Sequence, residues 1–177
     1  KVIGITGTNG KTSTASIITS ILLEAGFKTA QIGTLGLIAD GFEIEKGLTT
    51  PDALTLQKLL SELKDDGFTH VVMEVSSHSL DQFRVKDINF DIAAFTNLTH
   101  EHLDYHKTME AYFEAKLKLF KMLSVDAKIV LNKSDPYSER VKKVSKSTVL
   151  EFSVSKESSV HYEYLSISID GIRGCIS

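Results

Sequence analysis

Cysteine is nearly missing from these 177 residues: Cys175 stands alone, so no disulfide can close within the chain. That excludes the disulfide-stapled secreted scaffolds and fits a reducing compartment, the cytoplasm. No apolar run approaches the ~20 residues that span a bilayer. Charge of one sign is also scarce. Twenty Lys and Arg against 23 Asp and Glu leave a net of −3, which gives no electrostatic footprint for nucleic acid or an anionic membrane. No repeat, linker or low-complexity stretch occurs. The chain opens on a strand-like segment, Lys1-Val-Ile-Gly-Ile-Thr6, with neither an initiator Met nor a leader, and is expected to be a piece of a longer polypeptide. Its 42% hydrophobic content excludes a disordered reading, and a chain of this length forms one domain that needs no staples to fold.

Strand and helix signals alternate along most of the chain. After the opening strand, Ile17, Ile18, Ile21, Leu22 and Ala25 recur at helical spacing, and Gly26 is the expected stop. Residues 29–33 read as a second strand, and residues 38–44, around Asp40-Gly41, as a small hairpin or loop. Pro51-Asp52 opens a helix carrying Leu54, Leu56, Leu59, Leu60 and Leu63. Residues 70–75, 90–95 and 128–131 are short apolar strands of the kind buried on both faces. Residues 109–123 form a strongly periodic helix, and residues 137–144 a polar one. Beyond Thr148 the pattern turns to alternation, with Asp170-Gly171 marking a hairpin. The expected fold is therefore α/β: a doubly wound, mostly parallel sheet with a phosphate loop and a partial C-terminal β piece. Function belongs at the carboxyl ends of its strands.

Gly7-Thr8-Asn9-Gly10-Lys11-Thr12-Ser13 sits between the first strand and the first helix. Backbone N–H groups in such a turn wrap a phosphate, the helix N-terminus adds positive potential, Lys11 reaches the β- and γ-phosphates, and the Thr12 hydroxyl suits Mg²⁺. The common G-x-x-x-x-G-K-[ST] pattern needs glycine where Ile5 stands, so the loop is a shortened variant. Positions 109, 112, 113, 116, 117 and 120 share one helix face and read Met, Tyr, Phe, Lys, Leu, Phe. Lys116 thus falls on the face due for burial. On this helix alone, snorkelling of its stem to water is the simpler account. The other is desolvation, which lowers its pKa and frees the amine to attack a carbonyl or take up CO₂ as a carbamate. Glu74 places a carboxylate in an apolar strand, where it needs a partner: Mg²⁺ near the loop, or a helix cation. Thr99-His100-Glu101-His102-Leu-Asp104-Tyr-His106 gathers three histidines just after another strand, which favours at least one ligand or phosphate contact.

The loop, Glu74-Val-Ser-Ser-His78, Thr96-Asn-Leu-Thr-His-Glu-His-Leu-Asp-Tyr-His106 and Glu114-Ala-Lys116 occur in that order and resemble the central ATPase domain of the Mur ligases, over residues 1 to about 136. The resemblance implies a family domain truncated at its C-terminal end, without the N-terminal UDP-binding and C-terminal domains. It implies ATP on residues 7–13; Mg²⁺ held by Thr12 and Glu74; a carbamylated Lys116 with His102 for a second Mg²⁺; and Thr49, Thr50, Ser76, Gln82 and Arg84 against a UDP-muramoyl dipeptide. Catalysis would rest on Lys11, Glu74, His102 and Lys116. The contexts Thr49-Thr50-Pro51, Ser76-Ser77-His78 and Asp104-Tyr105-His106 resemble those of the member that adds a diamino acid, meso-diaminopimelate or L-lysine, as an ADP-forming ligase of peptidoglycan synthesis, expected to be monomeric. Folylpolyglutamate synthases and other Mur ligases share the ATP machinery, although a relative with a four-cysteine zinc ribbon is disfavoured by the single cysteine. Three remoter readings stay open: a GTPase reading guanine through Asn132-Lys-Ser-Asp135, a zinc hydrolase using His100, His102, Asp104 and His106, and a nucleotide-binding module without catalysis.

Overall fold

A computed structural model describes residues 1–42, 47–153, 158–168 and 171–176. Their elements follow in the order β1 (Val2–Thr6), α1 (Lys11–Glu24), β2 (Thr29–Gly33), β3 (Gly36–Ile38), α2 (Ala53–Asp65), β4 (His70–Glu74), α3 (Ser77–Asp81), β5 (Ile92–Phe95), α4 (Leu103–His106), α5 (Met109–Lys121), β6 (Lys128–Asn132), α6 (Ser138–Val144), β7 (Thr148–Ser153), β8 (Val160–Ser168) and β9 (Gly171–Ile176). They build one sheet in the order β3-β2-β4-β1-β5-β6-β7-β8-β9. Strands β2 to β8 pair in parallel across β4, β1, β5, β6 and β7, while β3 and β9 are antiparallel to their neighbours. The doubly wound, mostly parallel fold read from the sequence is the one observed, and among the described residues no helix is long and apolar enough to cross a membrane.

The two faces of the sheet follow from the period of two along each strand. Val71, Met73 and Val75 on and just after β4, Phe95 on β5, and Ile129 and Leu131 on β6 join the large core, with Leu56 and Leu63 of α2 and Tyr112, Phe113, Leu117 and Phe120 of α5. The intervening Ile3, Ile5, Val72 and Ala94 face the other way and pack under Ala15, Ile18 and Leu22 of α1. Helix α1 also carries Ile17 and Ile21, which stay about 60% exposed. Its apolar residues form two stripes, and only one of them meets the sheet.

Caps fix where the helices begin. Asp52 Oδ1 accepts the N–H groups of Leu54 and Thr55, both at 3.1 Å, and Thr108 Oγ1 accepts that of Ala111 at 3.1 Å, as N-cap oxygens do. The hairpin expected over 38–44 lies earlier: β2 and β3 are joined through Thr34-Leu35, with Gly33 opposite Gly36. Asp40-Gly41 instead makes an isolated turn closed by Phe42 N–H to Ala39 C=O at 3.2 Å, and residues 43–46 lie outside the described residues. The C-terminal hairpin is present as β8–β9; of the expected turn pair, Asp170 lies outside the described residues and Gly171 opens β9. The sequence reading ran the alternation from Thr148 into that hairpin, whereas β7 is a separate strand, parallel to β6.

Candidate active site

Because β1 lies between β4 and β5, the chain leaves it at the carboxyl edge of the sheet with Glu74 on one side and Thr96 on the other. The loop that follows turns on Gly7 at φ 144° and Gly10 at φ 84°. At Gly7 a Cβ would also collide with the Thr96 hydroxyl, so glycine is required on two counts. Asn97 braces the loop: its C=O accepts Thr8 N–H at 2.8 Å and its Oδ1 accepts Asn9 N–H at 2.9 Å. With those two amides engaged, the donors left to a phosphate are those of the first turn of α1, which lacks intrahelical partners by geometry.

The loop opens on a cavity of about 530 Å³ lined by residues from Thr8 to Ser13 together with Thr34, Glu74, Arg84, His102 and Lys116, a size that suits a small-molecule ligand. Two lysines enter it from different elements and meet on one atom. Lys116 Nζ of α5 donates to Gly7 C=O at 2.8 Å; Lys11 Nζ donates to the same carbonyl at 3.0 Å and to Thr8 C=O at 2.7 Å. Lys116 is only 1% exposed, so the snorkelling account of it does not hold. Burial, reinforced by the neighbouring Lys11 charge, pushes its pKa well below the ordinary 10.5. Burial also lowers Lys11, against the opposing pull of Glu74 and Glu101.

A buried amine of this kind lowers stability. Between its depressed folded pKa and the unfolded 10.5, the unfolded chain binds more protons than the native one, so stability rises with pH across that window. Lys116→Met should therefore stabilise the protein at neutral pH by about 1–4 kcal/mol. The advantage should shrink as pH climbs toward 10.5. Urea unfolding of both proteins at several pH values checks it; a destabilised Met variant would show that the amine's bond to Gly7 outweighs its desolvation.

Glu74 is fully buried at the end of β4, and its partners are neutral donors rather than a helix cation. Thr12 Oγ1 donates to Oε2 at 2.9 Å, Thr34 N–H to Oε1 at 2.9 Å and Thr34 Oγ1 to Oε2 at 3.2 Å. Thr12 and Glu74 together offer the hard oxygens that Mg²⁺ takes in small number beside phosphate and water. Thr34 and Gly33 escaped the sequence reading; a glycine–threonine pair closing a strand opposite a buried carboxylate was the available signal.

The residues expected against a substrate divide. Thr49, Thr50, Ser76 and Arg84 line the cavity, whereas Gln82 does not; its Oε1 braces Arg84 Nε at 2.9 Å. Thr50 is fully buried, with its hydroxyl donating to Glu74 C=O at 2.9 Å and accepting Ser76 N–H at 3.1 Å. Arg84 in turn donates to Thr50 C=O at 2.8 Å. His102 stands in the left-handed region at φ 56° and N-caps α4. It stacks edge-on against His78 at 5.1 Å, which in turn lies 5.5 Å from His106. Burial first, and then a neighbouring imidazole, hold both His78 and His106 below the ordinary value, so both rings are neutral at neutral pH. His106 Nε2 lies 2.9 Å from Ser77 Oγ.

Two of the remoter readings lose their geometry here. Asp135 is buried and spends both oxygens on backbone N–H groups, those of Leu98 at 2.7 Å and Tyr137 at 2.9 Å. Asn132 is tied to Thr96 C=O at 2.9 Å. They join the ends of β5 and β6 and are not presented to a guanine. Among the described residues no three His, Cys, Asp or Glu side chains converge to hold a metal, which leaves the zinc reading without a ligand set.

Sheet order and loop define the class, a P-loop nucleotide-binding α/β domain. Within that class the chain belongs to the Mur ligase family, whose middle domain matches residues 5–173. It is 41% identical over 181 residues to the UDP-N-acetylmuramoyl-L-alanyl-D-glutamate–2,6-diaminopimelate ligase of Geobacter metallireducens, covering 99% of this chain and 35% of that protein. The enzyme of the same name from Aquifex aeolicus is 47% identical over 151 residues, covering 85% and 31%. A solved structure of a ligase of this name superposes with a TM-score of 0.88 at 31% identity, covering 99% of this chain and 37% of that one. The chain thus spans about a third of the length of the relatives it matches.

Proposed function

We propose that this chain is the ATP-binding middle domain of an ADP-forming ligase that joins 2,6-diaminopimelate to UDP-N-acetylmuramoyl-L-alanyl-D-glutamate in peptidoglycan synthesis, with the N-terminal UDP-binding and C-terminal domains outside it. The observation that carries the reading is the meeting of Lys116 and Lys11 on the Gly7 carbonyl, in one cavity with Thr12 and Glu74. The names of the relatives at 41% and 47% identity supply the substrates, and the single cysteine suits the cytoplasm.

In this reading the side-chain carboxylate of the D-glutamate attacks the γ-phosphorus of ATP, giving an acyl phosphate and ADP. The diaminopimelate amine then attacks the acyl carbon and phosphate leaves. An anion attacking a polyanion needs alignment and neutralised charge. Lys11 exchanges the Gly7 and Thr8 carbonyls for phosphate oxygens, and the first-turn amides of α1 hold the phosphate chain in line. Thr12 and Glu74 would hold Mg²⁺, which would supply neutralisation of the phosphate charge. Lys116, kept short of protons by burial, fits CO₂ uptake as a carbamate, an anion that with His102 would complete a second Mg²⁺ site. Arg84, Thr49 and Ser76 on the opposite wall orient the dipeptide.

The test supplies the full-length enzyme with ATP, the UDP-muramoyl dipeptide and either meso-diaminopimelate or L-lysine. ADP release that requires the dipeptide and diaminopimelate is expected, with the 177-residue chain alone nearly inactive. ATP binding without ADP release on any acceptor would leave only the nucleotide-binding module.

A further inference from the structure

Helix α5 buries three aromatic side chains beside Lys116: Tyr112, Phe113 and Phe120. The two phenylalanines fill the core, but Tyr112 is just as inaccessible and carries a hydroxyl, which must find a partner. That partner is in the phosphate loop: Tyr112 Oη lies 3.2 Å from Thr8 Oγ1. Thr8 Oγ1 accepts Thr99 N–H at 2.9 Å and lies 3.3 Å from Thr99 C=O. With Thr8 donating to Thr99 C=O and the Tyr112 hydroxyl donating to Thr8, both hydroxyl protons have an acceptor. One turn further along the helix, Lys116 Nζ sits 4.4 Å from the centroid of the Tyr112 ring and donates to Gly7 C=O. The ring also lies 5.2 Å from that of His106 and 5.8 Å from that of His102.

We propose that Tyr112 is a positioning residue, its hydroxyl fixing the phosphate loop to α5 through Thr8 and its ring face holding the Lys116 amine. Two side chains a turn apart on one rigid helix grip two consecutive loop residues, so the loop that receives the nucleotide and the amine beside it move as one unit. The assignment rests on the ligase reading above.

The test uses the full-length enzyme. Tyr112→Phe keeps the ring and removes the donor; ATP should bind about tenfold more weakly by calorimetry and KM for ATP should rise to match, with kcat within about threefold of wild type and a nearly unchanged melting temperature. Thr8→Val breaks the same contact from the other side, and the double variant should lose less than the product of the single losses, as coupled partners do. Tyr112→Leu removes the ring as well and should lower kcat at least thirtyfold beyond the Phe variant. Unchanged ATP affinity in Tyr112→Phe, or strictly multiplicative losses in the double variant, overturns the proposal. So does a fall in kcat and affinity together that tracks melting temperature, which would mark a packing role. Wild-type enzyme that releases no ADP with dipeptide and diaminopimelate sinks the ligase reading instead, so the two failures are separable.

Discussion

Lys116→Ala in the full-length enzyme should cut turnover about a hundred- to a thousandfold, and small carboxylic acids such as formate or acetate should restore part of it. The expectation comes from what the side chain touches. Its nitrogen has a carbonyl oxygen and an aromatic face for neighbours, neither of them anionic, and its own charge is disfavoured by burial and by Lys11. A position that needed only volume would hold Met or Leu, as positions 109 and 117 of that helix face do. On the proposed reading the amine is kept there against its solvation because its reactivity is used, and stability given up at a reactive group is the usual trade. If the used form is a carbamate, the alanine variant lacks an anion in a cavity otherwise intact, and a diffusing carboxylate of similar shape can stand in for it. The magnitude follows from losing charge placement at a phosphoryl transfer, where single interactions count for ~10²–10³ each. Turnover within tenfold of wild type without added acid would show that Lys116 is a structural amine bonded to the loop.

Helix α5 shows what was legible in the chain and why. Its period placed Lys116 on the buried face among Tyr112, Phe113 and Leu117, and burial there is what the structure shows. Local pattern was enough to place the residue, because helix geometry fixes which residues share a face, but not to bury its amine, since snorkelling to water was the simpler account of this helix alone. Glu74 was legible for a similar reason: a carboxylate inside a β-branched run is conspicuous, and parallel pairing puts the end of β4 beside the loop after β1. Its partners were not legible. Thr12 is 62 residues away in the chain and Thr34 is 40, and no period relates them; only the strand order brings them together. The short helices α3 and α4 went unread because five and four residues are too few to show a period. Residues 132–135 illustrate a motif that misleads. Asn132 and Asp135 match a guanine-reading pattern in letters, but each is consumed by backbone groups at the ends of β5 and β6, a role sequence cannot separate from ligand recognition. In α1 the helical spacing was legible but which of its apolar residues are covered was not, because only the Ile18 and Leu22 side faces the sheet.

Gly33→Ala should do damage out of proportion to the single methyl group it adds beside the Glu74 carboxylate. A Cβ at that position would lie within the Glu74 side chain, 2.8 Å from its Cδ and 2.9 Å from its Cγ. The carboxylate cannot swing out to water to make room. It is fully buried and pinned by the Thr12 and Thr34 hydroxyls on Oε2 and by the Thr34 N–H on Oε1. The strand would have to shift or the carboxylate would have to leave the Thr12 hydroxyl, and overpacking of this kind costs about 1–3 kcal/mol. Turnover of the full-length enzyme should fall at least a hundredfold, because the two oxygens proposed to share Mg²⁺ are the ones driven apart. A partner substitution separates the steric effect from the chemical one. Glu74→Asp withdraws the carboxylate by one methylene, so the double variant Gly33→Ala with Glu74→Asp should recover most of the lost stability in urea unfolding while remaining slow. An alanine variant that turns over like wild type would mean that Glu74 has room to move, and that its tight setting between β2 and the phosphate loop is not what the reaction requires.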